Sequence, residues 1–318
     1  MKLIDSHYEI LEQGLTFSDG LRFVEDVART CYMSEGKKTE DSYLGFCERL
    51  IKSQHLAMME FFTLYLKVTS EDPRYKEVKS FYESNPFSWT RTEVIDGVLT
   101  TWITTNYRVI LENDRDKDSA LMIEPEPYHE SRRTVRLFCN RSVSHECVRA
   151  RLASYAQQSQ RYVCYSKERF GGDITFIIPD KIYRIRDERA ACVDSLTGES
   201  MEYLRKLTGE ELVRELLIHD RGVCCWWDAM KRDEEDYKYL TLEEEWAAQD
   251  ARDVLPNAVS TILNVCMFEK DWAHFFNLRS LGTTGKPDPN MKRLVDPIAL
   301  DFLERGWIVK QGDKYGSM

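Results

Sequence analysis

Apolar residues recur at helical spacing in two early stretches of the chain. In residues 20–33 they fall at Leu21, Val24, Val27, Ala28 and Cys31. In residues 41–53 they fall at Leu44, Cys47, Leu50 and Ile51, behind a cap at Thr39 or Asp41. Both patterns predict helices. Residues 61–68, FFTLYLKV, are aromatic and β-branched and short enough to be a strand. Residues 98–111 are a second β-rich run, and 134–140, 174–179 and 257–267 read as further strands, with Pro179 ending the 174–179 strand. Between them, 1–18 reads as a polar lead-in and 69–97 as an insertion or lobe with scattered aromatics. The acidic, proline-containing 112–127 reads as a loop. A helical period returns from about 194 to 253, with alternating charge over 231–245 that suggests a solvated face, and Pro256 stops a helix ending at Leu255. A short helix at 270–278, a tight loop at 282–289 and a closing helix at 291–304 complete the pattern, without internal repeats.

Composition changes this picture little. The 318 residues are 42% hydrophobic and 31% charged, as in an ordinary globular protein with a real core. The first residues lack an apolar run, and no stretch approaches the roughly 18 apolar residues of a membrane span. Nine cysteines include no C-x-x-C pair, so neither metal spacing nor a disulfide framework is expected, and Cys31, Cys139, Cys147 and Cys266 read as core thiols. Together these point to a reducing cytosol. A net charge of −10 disfavours nonspecific binding to nucleic acid or membrane.

Charge does change the picture at one place. Residues 132–161 hold seven arginines, no lysine and one acid, Glu146, inside a chain of 44 basic and 54 acidic residues. Guanidinium groups suit planar carboxylates and phosphates, so the inversion suggests an anion site; a solvated basic face is the plainer alternative. The apolar positions Val143, Cys147, Val148 and Leu152 predict a helix over 142–153, on which Arg149 and Arg151 would splay apart. If the chain is then extended, Gln157, Ser159 and Arg161 share one hydrogen-bonding face. His145 lies too far from Ser159 for a nucleophilic triad, and the glycines of a phosphate loop are absent. Residue chemistry alone reaches a binder of a phosphate-bearing small molecule.

Arg149-Ala150-Arg151, seven residues, then Ser159 resembles the Arg-His-Arg…Ser signature of the flavin-dependent thymidylate synthases, the ThyX family. ASYAQQSQRYV (153–163) is close to the family's sequence there, and YSKERFGGDITFIIP (165–179) resembles a longer subfamily. VARTCY (27–32), the His55…Glu60 segment, ARDVLPN (251–257) and HFFNLRSLGTTGKPDP (274–289) follow in the family's order, so the likeness spans roughly 18–306. It implies one α+β domain over the whole chain, with a mixed or antiparallel sheet flanked by helices and an inserted lobe at about 69–130. It implies reductive methylation of deoxyuridylate (dUMP) at C5 to thymidylate (dTMP). FAD would be the cofactor, with NADPH and 5,10-methylenetetrahydrofolate as co-substrates, in a homotetramer with shared sites.

Carried over by position, the resemblance puts His55, Glu60, Asn106, Arg108, Arg149 and Arg151 on the flavin. It puts Glu146, Gln157, Ser159, Gln160, Arg161 and Arg252 on the nucleotide, with Arg279 holding and activating the pyrimidine. Ser159 then stands with Arg279 at the reaction centre, as a binding hydroxyl because no base accompanies it. Asn106 and Arg108 also read as an edge-strand polar pair. Two departures stand out: Ala150 replaces the signature's central His, and Phe268 and Lys270 stand where many members have Asn-x-Arg. Ala150 leaves room for a flavin- or nucleotide-binding homologue with lost or weakened turnover, and the arginines alone do not distinguish deoxyuridylate from another uridine nucleotide.

Overall fold

The computed structural model describes residues 1–193, 198 and 200–317. Its central sheet has the order β2-β6-β9-β7, every pairing antiparallel. The strands are β2 (His7–Leu11), β6 (Arg132–Asn140), β7 (Ser154–Gln157) and β9 (Ser260–Phe268). Alternation in β6 sends Val135, Leu137 and Cys139 into a core closed by α10 (Glu269–Phe276) and α11 (Pro289–Glu304). That core is dense in rings: Trp272, Phe275, Phe276 and Phe302 are all buried. Asp288 caps α11 by accepting from Asn290 N and Met291 N at 2.9 and 3.0 Å, with Pro289 at the first helical position. A terminal hairpin, β10 (Ile308–Gln311) and β11 (Lys314–Ser317), packs beside α10.

The opposite face of the sheet carries Arg136, which reaches Asp26 at 3.3 Å and Asn264 Oδ1 at 3.0 Å. Asp26 belongs to α1 (Phe17–Thr30), which pairs with α2 (Ser42–Lys52). Thr16 and Asp19 form a reciprocal capping box at the start of α1.

The lobe expected at about 69–130 shares a second antiparallel sheet, order β3-β5-β4, that starts ahead of it with β3 (Thr63–Thr69) and adds β4 (Trp89–Ile95) and β5 (Val98–Asn106). Asp96 and Gly97, both at positive φ, turn β4 into β5, the conformation a two-residue hairpin demands. Packed on this sheet are α3 (Tyr75–Ser84) and α4 (Tyr107–Glu112). Asp118, 1% exposed, ties the lobe together: it accepts from Arg74 at 2.8 Å, Arg115 at 2.6 Å and Tyr82 Oη at 3.2 Å.

A third core lies around the parallel pair β1 (Lys2–Ile4) and β8 (Thr175–Ile177). The helices α6 (Asp180–Ala190), α7 (Gly209–Leu217), α8 (Arg221–Lys238) and the short α9 (Ala248–Ala251) surround it. No helix among the described residues is long and apolar enough to cross a membrane.

Several expectations are corrected. Residues 1–18 are not merely a lead-in, since they hold β1, β2 and the start of α1. The run at 98–111 splits into a strand to Asn106 and then α4, because the Asn106 side chain caps a helix there by accepting from Val109 N at 3.2 Å. The loop at 112–127 contains a 3-10 turn over Asp116–Leu121. The charged face at 231–245 is only partly solvated: Glu234 and Tyr237 are buried, and Glu234 accepts from Ile174 N at 2.9 Å. The start of the expected helical region, 194–197, lies outside the described residues.

Candidate active site

Three segments meet at one end of the central sheet because of its register. Arg132 opens β6 opposite Phe268, and Ser154 opens β7 opposite Cys266. The Arg132 guanidinium bridges sheet and lobe, donating to Glu60 O at 2.7 Å and Ser154 Oγ at 3.1 Å. From the lobe side, Arg108 donates to Glu60 at 2.6 Å and Glu112 at 2.8 Å. Glu60, Asn106, Arg108, Lys270 and Asp271 thus line a cavity of about 170 Å³.

The helix expected over 142–153 is shorter, α5 (Arg141–Cys147), capped by Asn140, whose Oδ1 accepts from Val143 N at 2.9 Å. The chain then turns, with Ala150 N donating to Cys147 O at 3.1 Å. Tyr155 Oη pins this turn, lying 2.8 Å from Cys147 O and 2.7 Å from Ala150 O. Burial holds the Tyr155 hydroxyl above its usual range, so it stays a donor. Arg149 and Arg151 therefore project from a pinned turn rather than splaying from a helix. Both are exposed, without a side-chain partner among the described residues. They line a second cavity of about 330 Å³ with Ala150, Asp271 and Arg279.

Arg279 sits in a π-helical segment, Asn277–Leu281, that continues α10. Such segments re-aim side chains and are frequent at functional sites. Its guanidinium donates to Glu146 O at 3.1 Å and lies 3.7 Å from the Glu146 carboxylate. Gly282 ends the segment at φ 71°, where a Cβ would meet Pro287 Cδ at 2.7 Å, so the 282–289 loop closes tightly. That loop, Glu146, Arg149 and Arg279 wall a third cavity of about 650 Å³. The first two cavities share Leu152 and Asp271, and the last two share Arg149, Leu278 and Arg279. Through these shared walls the three cavities adjoin, and together they make up the cleft.

The cleft brings together seven of the residues singled out in the sequence: Glu60, Asn106, Arg108, Glu146, Arg149, Arg151 and Arg279. It leaves the others elsewhere. His55 is exposed ahead of the 3-10 turn Leu56–Phe61. The extended face expected for Gln157, Ser159 and Arg161 does not form, because β7 ends at Gln157. Gln157 donates to Ser144 Oγ at 2.9 Å, and Ser159 Oγ accepts from Arg161 N at 3.1 Å and Tyr162 N at 3.3 Å. Arg161 donates to Gln249 at 3.1 Å, one turn from Arg252, while Gln160 lies beside Tyr165. These residues, with half-buried Arg141 next to Arg252, make a second basic face.

The arginine excess also resolves into unlike parts. Arg132, Arg133 and Arg136 serve the fold, Arg133 through Glu269 at 2.7 Å and a stack on Trp307 at 4.0 Å. A separate cavity of about 220 Å³ behind Arg132 and Arg133 therefore offers already committed guanidinium groups.

Sequence reasoning missed Phe87, Leu152, Tyr155 and Asp271. Leu152 enters the sequence reading only as an apolar position of a helix, and that spacing hid its place on the cleft wall. Asp271 sits between two cavities, where burial raises its carboxyl above the usual range against the pull of Lys270 and His274. A carboxyl with a raised folded pKa costs stability once it ionises: the penalty is absent below the unfolded pKa and complete above the folded one. Asp271→Asn should therefore raise the melting temperature at pH 7–8, with a gain that shrinks as pH falls through the acid range. Equal gains at pH 4 and pH 8 would contradict this.

The chain matches the sequence model described as thymidylate synthase complementing protein over residues 127–296. It is 30% identical over 184 residues to the flavin-dependent thymidylate synthase of Pyrococcus furiosus, covering 56% of this chain and 59% of that one. To the enzyme of the same name from Clostridium tetani it is 29% identical over 142 residues, covering 44% and 46%. The chain thus spans about half the length of the curated relatives it matches. Among solved structures it is similar to a UMP/dUMP methylase from Streptomyces cacaoi bound with 5-Br dUMP. The TM-score is 0.40 at 14% identity, over 96% of this chain and 93% of that one. With a family match spanning more than half its length, the chain belongs to the thymidylate synthase complementing protein family.

Proposed function

We propose that the cleft binds FAD and carries out the reductive methylation of deoxyuridylate at C5 to thymidylate. The carbon donor is 5,10-methylenetetrahydrofolate and the reductant NADPH, in a cytosol. The observation that carries this reading is the convergence of seven residues from separate segments on one cleft of adjoining cavities. The cleft suits a dinucleotide: its cavities follow one another, with Arg149 and Arg151, which have no side-chain partner among the described residues, midway for anionic groups and apolar walls at one end. When bound, the reduced flavin supplies the hydride that completes the methyl group. The protein binds, orients and polarises, as expected of cofactor enzymes. Arg279 fixes a cation where the pyrimidine carbonyl gains charge, and Glu146 holds the guanidinium fork in place.

Gln157, Ser159, Gln160, Arg161 and Arg252 lie on the second basic face, outside the cleft of their own chain. Their placement supports a homotetramer in which this face completes the cleft of a neighbouring copy around the nucleotide phosphate. Light scattering at micromolar concentration should give a tetramer; a monomer would refute the shared site.

Ala150 favours a second reading, a flavin or nucleotide binder that has lost turnover. Its methyl lines the cleft and offers no hydrogen bond there. Ala150→His should tighten FAD binding about three- to tenfold, the worth of one added hydrogen bond, and raise turnover. Product assay of the unaltered protein decides between the readings. Thymidylate formed in a flavin-dependent way eliminates the binding-only one. Competition of uridylate against deoxyuridylate reads the sugar preference.

A further inference from the structure

Phe87 is 56% exposed, yet it stands on a turn with little freedom. Asn85 Oδ1 accepts from Phe87 N at 2.9 Å and from Ser88 Oγ at 3.1 Å, and Ser88 Oγ lies 2.8 Å from Thr105 Oγ1. Phe87 lines the 170 Å³ cavity, whose other apolar walls include Leu152, 57% exposed, Val109 and Phe268, beside charged groups that include the paired Arg108 and Glu60. Asn106 adds polar recognition: its Oδ1 is taken by Val109 N, and its amide nitrogen has no acceptor among the described residues. Asp271, on the same wall, can accept from an amino group.

Position along the cleft selects the occupant. This cavity shares no lining residue with the one around Glu146 and the 282–289 loop, and Arg279 does not line it. A reacting pyrimidine held by Arg279, and any ring that must touch it, therefore lie towards the other end. The arginines midway suit an anionic bridge. What remains for the Phe87 end is the uncharged, non-reacting end of an elongated cofactor.

We propose that Phe87, set on the lobe opposite Leu152 and Phe268, stacks the purine base of a dinucleotide cofactor, with Asn106 and Asp271 reading its amino-bearing edge. This rests on the reading of the cleft as a dinucleotide site. It assigns the inserted lobe a part in cofactor selection. Two cofactors carry such a base, FAD and NADPH, and the experiment separates them.

FAD and FMN are titrated against the full-length protein and against Phe87→Ala and Phe87→Tyr, and the KM for NADPH is measured at saturating FAD. Failure of the unaltered protein to bind FAD would sink the dinucleotide reading itself, before any variant is compared. If the purine is that of FAD, Phe87→Ala weakens FAD roughly tenfold, within what stacking a base on an aromatic ring is worth, and leaves FMN unchanged. If it is that of NADPH, the KM for NADPH rises by a similar factor while FAD affinity holds. Phe87→Tyr, which keeps a ring, retains unaltered affinities in either case. Equal weakening of FAD and FMN, or no change in either FAD affinity or the KM for NADPH, overturns the proposal.

Discussion

Arg279→Ala is expected to lower turnover of deoxyuridylate by about 10²- to 10³-fold, the usual loss when one fixed donor to developing charge is removed. The melting temperature should stay within about 2 °C, because the side chain is part-exposed and serves no core. The size of the effect follows from pre-organisation. The guanidinium is held by Glu146 O on α5, on a π segment closed by Gly282, so it stands in place before substrate arrives. A cation that must first be ordered would contribute less. Arg279→Lys keeps charge but loses the planar fork, so its loss should be intermediate. Steady-state kinetics with deoxyuridylate as the varied substrate checks the series. Unchanged turnover in Arg279→Ala would remove this residue from the reaction centre.

Asp118→Ala carries the largest expected effect on stability, about 3 kcal/mol, because it strands two guanidinium groups beside a carboxylate-shaped hole. Asp118 accepts from Arg74, Arg115 and Tyr82 while almost wholly buried. Arg115 is the less exposed of the two arginines, at 14%, and on losing Asp118 it keeps a partner in the exposed Glu77. Asp118→Asn keeps an acceptor and should lose about half as much. Urea denaturation followed by tryptophan fluorescence reads both variants, since Trp89 and Trp102 lie in the lobe sheet. The lobe supplies Phe87, Asn106 and Arg108 to the cleft, so flavin affinity should fall with the stability. A loss below about 1 kcal/mol for the alanine variant would mean that Asp72 and Glu77, which already pair with Arg74 and Arg115, hold them without Asp118.

What was legible in the sequence follows from which patterns have a single physical cause. In β6 and β9 the apolar residues bury against helices, so their runs predict strands correctly, as the spacing of Met291, Leu294, Val295 and Ile298 does for α11. In 142–153 the same reasoning fails at its end. Val148 and Leu152 fit a helical stripe, but they are 43% and 57% exposed. Leu152 faces the cleft, and apolar residues placed for a ligand mimic those placed for a core. The strand β2 was missed because His7 and Glu9 alternate outward and leave too weak an apolar signal. The arginine excess overstated the anion site. The partners of Arg136 and Arg133, Asp26 and Glu269, lie 110 and 136 residues away, so no local count could show them. Seven residues singled out through the family motif line the cleft, whereas Ser159 caps a turn of its own chain instead of extending towards Arg279.

The most direct test of the central claim is thymidylate formation by the purified protein, resolved chromatographically, with each component omitted in turn. The account predicts product when FAD, NADPH, 5,10-methylenetetrahydrofolate and deoxyuridylate are all present, and none when any one is left out. Thymidylate formed equally well without FAD, or none formed at saturating FAD, would contradict it.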